Sequence, residues 1–208
     1  MKIQNNELLT EFLVGSILGD GTIEKSPIAN YYRMRIAHCD KQYNYLNYKH
    51  KFLTKFNAVG QINNSSQLDS RTKKLYLSHK ISTGYIPILK DIYDKFYIHS
   101  KNKKRKAILD EVFLKKYLTP FAIAIWFMDD GTTSGKYGLL FCTDCYSEIE
   151  CLFLIKTIKE LYDINLTYHK SCHGLYIGKD EVSKFQKLIL PYMEVDMLYK
   201  LRINKGVL

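Results

Sequence analysis

Two stretches of this chain depart from the usual alternation of apolar and polar positions. Residues 13–21 read LVGSILGDG and residues 123–131 read IAIWFMDDG. Each is apolar on every side for the length of a helix, which predicts a helix surrounded by other elements. Each run closes in Asp-Gly. In the first, Asn6 is a candidate cap for a helix that begins at Glu7, and Gly21 suits a left-handed residue past its end. Gly15, Ser16 and Gly19 are poor helix formers, but small residues let two helix backbones approach closely.

The remaining pattern fills in around these helices. Residues 31–38 alternate, with Tyr32, Met34 and Ile36 facing one way and Tyr31, Arg33 and Arg35 the other, as in a half-buried strand. Residues 43–56 carry a helical stripe of Tyr45, Tyr48, Phe52 and Phe56. Residues 58–62 and 74–81 read as a hairpin around the polar loop NNSSQLDSRT, with Leu75, Leu77, His79 and Ile81 inward and Lys74, Tyr76, Ser78 and Lys80 outward. A helix over 84–97 has Pro87 in its first turn and buries Leu89, Ile92, Tyr93 and Phe96.

The plan then restarts. Thr119-Pro120 is an N-cap followed by Pro at the first helical position, ahead of the second apolar helix. A strand over 137–143 follows. Ser147 and Glu150 form a capping box for a helix over 148–162, whose stripe is Cys151, Leu154, Ile155, Ile158 and Tyr162. Residues 165–170 and 175–179 make a hairpin, and 180–192 a last helix. The order helix, strand, helix, hairpin, helix therefore occurs twice. Two such units pack about a pseudo-twofold axis, where the small-residue helices meet. The expected division is a half over 1–100, a basic connection over 101–116 that contains KNKKRK, and a half over 117–208.

Charge narrows the function. Among 208 residues, 31 Lys and Arg against 21 Asp and Glu give +10, with 17 Tyr among them, which suits a polyanionic partner such as nucleic acid. No apolar window has the length of a membrane span, and the N-terminus is not a signal peptide. Five Cys without secretory context read as reduced thiols inside a cell. The abundance of Lys, Asn, Ile and Tyr fits an AT-rich coding genome, such as that of a mitochondrion or chloroplast. Cys142, Cys145, Cys172 and His173 lack the second tight pair of a zinc site. Cys39 and Cys151 read as small core residues, and Trp126 as packed between its helix and a sheet.

The two Asp carry the chemistry. A single Asp-Gly after an apolar run is usually a turn. Two at equivalent places put Asp20 and Asp130 at the C-terminal ends of paired helices, where helix dipole and mutual repulsion both oppose ionisation. Hard divalent cations, Mg²⁺ above all, relieve that conflict, and metal-binding acids on a basic protein point to phosphodiester hydrolysis. Asp129 adds a carboxylate that points elsewhere.

These residues resemble the LAGLIDADG motifs of the homing endonucleases. Leu13, Gly15, Ile17, Asp20 and Gly21 match in the first motif, and Ala124, Asp130 and Gly131 in the second. Trp126, Phe127, Met128 and Asp129 depart from the consensus, although YLTP…WFMDDG is similar to the second motif of monomeric, intron-encoded members. The resemblance implies an α+β fold of two αββαββα halves, each with a four-stranded antiparallel sheet, so that one further strand is expected in each half near 22–28 and 132–136. It implies two or three Mg²⁺ ions shared by Asp20 and Asp130, helped by the carbonyls of Gly19 and Asp129. It also implies one catalytic Lys per half: Lys200 in MLYKL, and Lys106 in KNKKRKAI, with Lys104 and Arg105 as alternatives because Leu109 replaces the Pro of the usual K-x-I-P pattern. The partner would be double-stranded DNA, bound by a monomer as a long asymmetric target. Arg33, Arg35, Lys74, Tyr76, Lys80, Asn165, His169 and Lys179 would face it from β-ribbons. An RNA maturase acting on an intron, or a DNA-binding protein without catalysis, are the rival readings.

Overall fold

The structure is a computed structural model that describes residues 2–27, 30–68, 70–100 and 103–203. The first half runs α1 (Lys2–Leu18), β1 (Thr22–Lys25), β2 (Tyr32–Cys39), α2 (Tyr43–Thr54), β3 (Asn63–Leu68), β4 (Leu75–Ser82) and α3 (Ile88–Phe96). A hairpin of β5 (Tyr97–Ser100) and β6 (Lys103–Lys106) and a short α4 (Glu111–Tyr117) follow. The second half repeats the order with α5 (Pro120–Asp130), β7 (Gly131–Ser134), β8 (Gly138–Cys142), α6 (Glu148–Tyr162), β9 (Leu166–His169), β10 (Gly174–Ile177) and α7 (Lys179–Ile189). A 3-10 segment, Val195–Leu201, then brings Lys200 back to the centre.

Two antiparallel four-stranded sheets result, ordered β1-β2-β4-β3 and β7-β8-β10-β9. The topology is therefore the same in both halves, and β1 and β7 are the strands expected near 22–28 and 132–136. One apolar core runs through both halves, with Phe12, Leu13, Ile17, Ile123, Trp126 and Phe127 inside it. Trp126 is stacked on Phe141 of β8 at 4.1 Å between ring centroids, between its helix and its sheet as expected.

The α1–α5 pair is held by close backbone approach. A Cβ on Gly15 would lie 2.4 Å from the Ala122 carbonyl oxygen, and one on Gly19 would lie 2.4 Å from Asp129 Cβ. Any side chain at these positions would push the helices apart. Thr119 caps α5 by accepting from Ala122 N–H, and its hydroxyl donates to Glu11 of α1, which ties the two helices at their far end. The Ser147–Glu150 capping box opens α6 as the sequence indicates.

Several expectations are corrected. α1 begins at Lys2, so Asn6 lies inside the helix. Gly21 is not left-handed; the glycine with positive φ among the described residues is Gly135. Gly21 instead lacks a Cβ because one would sit 2.6 Å from the Ser16 carbonyl. The strand placed at 58–62 lies in the supposed polar loop, at Asn63–Leu68. It pairs with β4 as an edge strand, and an edge facing water has little need of apolar side chains. Leu75 and Leu77 are exposed (62% and 48%) because this hairpin extends beyond the core that buries His79 and Ile81. In α2 the buried face is Tyr45, Leu46, Lys49 and Leu53, while Tyr48 and Phe52 are half-buried. The basic run is no plain connection, since residues 103–106 form β6 and α4 follows; 101 and 102 lie outside the described residues. Cys39 is exposed, whereas Cys151 is buried.

Candidate active site

The two motif helices end side by side, and their last residues define the site. Asp20 is the second residue past α1, with its side chain 41% exposed. Asp130 ends α5, half-buried, and its carboxylate takes no direct hydrogen bond or ion pair among the described residues. Burial, then the charges of Asp20 and Asp129, push the Asp130 carboxyl up to about 7. Asp20 is also raised, by burial first and then by Asp129. Two carboxylates are thus held in a place that disfavours their charge, as their position at helix C-termini implies.

Two lysines close the site from opposite sides with matching contacts. Lys106, from β6, donates to the Gly19 carbonyl at the end of α1. Lys200, from the 3-10 segment, donates to the Met128 and Asp129 carbonyls at the end of α5, each at 2.6 Å. Gly19 and Asp129 stand just before Asp20 and Asp130, so the contacts are equivalent under the pseudo-twofold. Burial depresses both ammonium groups below the usual lysine range. The two other candidates in the basic run are engaged elsewhere: Lys104 donates to the Ile23 carbonyl at 2.9 Å, and Arg105 pairs with Glu150 at 2.9 Å.

Asp129 is a separate element. Its side chain is fully buried and bonded to Lys49 Nζ (2.5 Å) and Tyr45 Oη (2.8 Å), and it accepts from the Asp20 backbone N–H (3.2 Å). Burial would raise its carboxyl, but Lys49 and His38 hold it below the usual carboxylate range. His38 lies 3.5 Å from Asp20 Oδ2 and 3.8 Å from Asp129 Oδ1. Asp20, His38 and Asp129 bring one ligand atom each within 4.8 Å of one another and could hold a metal. The Asp129 oxygen nearest His38 is already saturated by an ammonium and a phenol. Asp20 and Asp130, hard oxygen donors with unrelieved charge, are the better fit to a divalent cation. Sequence reasoning missed Lys49, Tyr45 and His38. The available signal was a Lys four residues from Tyr45 and four from Leu53, in the middle of an apolar face.

The outer sheet faces carry most of the expected nucleic-acid residues. In the first sheet Arg33 and Arg35 of β2 share a face with Lys80 and Tyr76 of β4, as the pairings Arg35↔Ser82, Ala37↔Lys80 and Gln67↔Tyr76 require. Lys74, just ahead of β4, is exposed. Arg33 and Arg35 both pair with Glu24, which tempers their charge. In the second sheet His169 stands on the outer face, stacked on Tyr176 at 4.6 Å. Asn165 and Lys179 are not on that face. Asn165 precedes β9 and donates to Glu181, and Lys179 opens α7 over the Tyr137 ring, because β9 and β10 are each shorter than the pattern suggested. Tyr176, Thr167 and Ser82 share the outer faces and were not singled out from sequence.

Paired αββαββα halves with an acid at the end of each central helix define the homing-endonuclease class of fold. Residues 10–185 match the LAGLIDADG DNA endonuclease family, and this chain belongs to it. It is 31% identical over 207 residues to the cytochrome b mRNA maturase bI2 of Saccharomyces cerevisiae, covering 94% of this chain and 48% of that protein. It is 28% identical over 208 residues to the DNA endonuclease I-ChuI of Chlamydomonas applanata, covering 94% of this chain and 95% of that one. The chain thus spans about half of the maturase and nearly all of the endonuclease. The homing endonuclease I-WcaI, solved bound to its DNA recognition sequence, has the same fold: TM-score 0.79 at 22% identity, over 95% of this chain and 87% of that one. No helix among the described residues is long and apolar enough to cross a membrane.

Proposed function

We propose that this chain is a site-specific DNA endonuclease that uses Mg²⁺ to cut both strands of a long, asymmetric duplex target. The observation that carries the reading is the doubled arrangement at the helix ends. Asp20 and Asp130 lie with unrelieved charge at the centre, and Lys106 and Lys200 flank them on equivalent carbonyls. Asp20 and Asp130 would hold the metal, with the Gly19 and Asp129 carbonyls beside them. Bound Mg²⁺ supplies Lewis-acid stabilisation of the phosphoryl oxygens and an activated water. Lys106 and Lys200 orient those carbonyls and place positive charge where the phosphodiester gains negative charge. The outer-face residues Arg33, Arg35, Tyr76, Lys80 and His169 align the duplex across both sheets. The halves differ at nearly every such position, so the target is not a palindrome. The protein acts as a monomer, because one chain already contains both halves.

The test is selection of cleaved sequences from a randomised duplex library with Mg²⁺. On the selected target, Asp130→Asn and Asp20→Asn should each lower cutting by about a thousandfold or more and keep binding in Ca²⁺. Undiminished cutting by either variant would overturn the assignment. A second reading, assistance to intron splicing, is favoured by the likeness to a protein named as an mRNA maturase. A splicing assay with Asp130→Asn separates the two activities.

A further inference from the structure

The two halves differ most where their acids are supported. Gly19 and Asp129 occupy equivalent places, each one residue before a motif acid. One tyrosine from each half reaches the other half's motif helix, although the two stand at different places, Tyr45 inside α2 and Tyr146 ahead of α6. Tyr45 Oη donates to the Ile125 carbonyl of α5 (3.2 Å), and Tyr146 Oη reaches the Ile17 and Leu18 carbonyls of α1 (3.4 Å each). The register of the first two strands and the starts of the helices that follow, Tyr43 and Glu148, make Lys49 equivalent to Leu154 and Tyr45 equivalent to Glu150, so a buried ammonium in one half stands where the other half has a buried leucine. Lys49 is fully buried and turned inward onto Asp129. Glu150 is turned away, onto Ser147 N–H (2.7 Å), Ile108 N–H (2.9 Å) and Arg105 (2.9 Å).

The consequence falls on one acid. Asp129 belongs to α5, yet its Oδ2 accepts the backbone N–H of Asp20 in the other half. Its Oδ1 is fixed by Lys49 and Tyr45. In the mirrored place Gly19 has no side chain to hold the N–H of Asp130. We propose that Lys49 and Asp129 are positioning residues for Asp20 alone, so that the Asp20 side of the site is fixed by side chains and the Asp130 side is not. This rests on the endonuclease reading only for its consequence: unequal dependence of the two strand scissions on the pair.

Removing one member would leave a buried unpaired charge, so the test removes both, as Lys49→Met with Asp129→Asn. The first readout needs no cutting: Mn²⁺ titration of the protein–DNA complex by calorimetry. Loss of support behind a metal ligand should weaken affinity by about tenfold or more. The second readout is strand-specific cleavage of end-labelled target in Mg²⁺. One strand should slow by about tenfold more than the other, so that nicked product accumulates. Unchanged metal affinity, or equal slowing of both strands, would overturn the proposal. Should the double variant fail to fold, Tyr45→Phe removes one hydrogen bond to Asp129 and should shift both readouts in the same direction, by about threefold; no shift would overturn it equally. Leu154→Met, at the place equivalent to Lys49 in the second half, is the control and should leave the strand ratio unchanged; a shifted ratio would count against the asymmetry. A wild-type protein that binds Mn²⁺ but cuts nothing would fail the endonuclease reading, and the titration would still decide the positioning role.

Discussion

Gly15→Ala tests whether the close approach of α1 and α5 sets the site. In an isolated helix this change is favourable by about 1 kcal/mol. Here the new Cβ would stand 2.4 Å from the Ala122 carbonyl oxygen, 2.9 Å from Ile125 Cβ and 3.0 Å from Ala122 Cα. Side-chain Cβ atoms essentially never come within 3.0 Å of another atom, so the helices must part by roughly 0.6 Å. The obstacle is backbone, which cannot rotate aside, and overpacking of this kind costs up to about 3 kcal/mol. The net loss is about 2 kcal/mol, or a fall of about 4–8 °C in Tm for a chain of this size. The same separation moves Asp20 relative to Asp130, and misplacement by about 1 Å costs about a hundredfold in rate. Thermal unfolding and single-turnover cleavage of the selected target measure both effects. Gly84→Ala, with open space around its Cβ position, is the control. A Gly15→Ala protein that melts higher and cuts at the wild-type rate would refute the reasoning, since helix propensity would then outweigh packing.

Three further outcomes follow from other parts of the molecule. Burial, then the nearby Lys49, pull the His38 imidazole from its ordinary 6.5 down to about 4, so its neutral form contributes stability fully above pH 6.5 and loses it as pH falls through 6.5 towards 4. The loss is at most about 3 kcal/mol, and a His38→Gln protein should show a shallower decline in denaturant stability over that window; equal slopes would count against it. Trp126→Ala should cost about 3–5 kcal/mol. Trp126→Phe should cost less than half of that, because the buried indole N–H has no hydrogen-bond partner among the described residues. Ser147→Ala, which breaks the capping box of α6, should lower stability by about 1 kcal/mol in urea denaturation without changing the cleavage rate.

The repeat of elements, both motif helices and both acids were legible in the chain. So were the caps at Thr119 and Ser147, because a cap is a contact between residues three apart. The wholly apolar pattern of residues 123–128 marked a helix buried on every side, and Gly15 and Gly19 marked where it could be approached. The likeness to the family pointed to Lys106 and Lys200. What singled out Lys106 over Lys104 and Arg105 was the β5–β6 hairpin, which turns Lys106 to the end of α1, Lys104 to the Ile23 carbonyl and Arg105 to Glu150.

Other features were decided by tertiary structure alone. β3 is polar at every residue but its last, Leu68, and becomes a strand only because β4 offers its backbone, so no periodicity announces it. Leu75 and Leu77 alternate as a buried face should, yet they lie beyond the core, since alternation shows which side a residue faces and not whether anything covers that side. Lys49 and Asp129 lie 80 residues apart, on helices of different halves. Each is an ordinary surface residue type, and the low dielectric that makes their pairing strong exists only once both halves have closed over it. Sequence determined that two carboxylates end two buried helices. Which of them receives a neighbour's support was settled by packing, because that support comes from side chains the folded chain alone brings together.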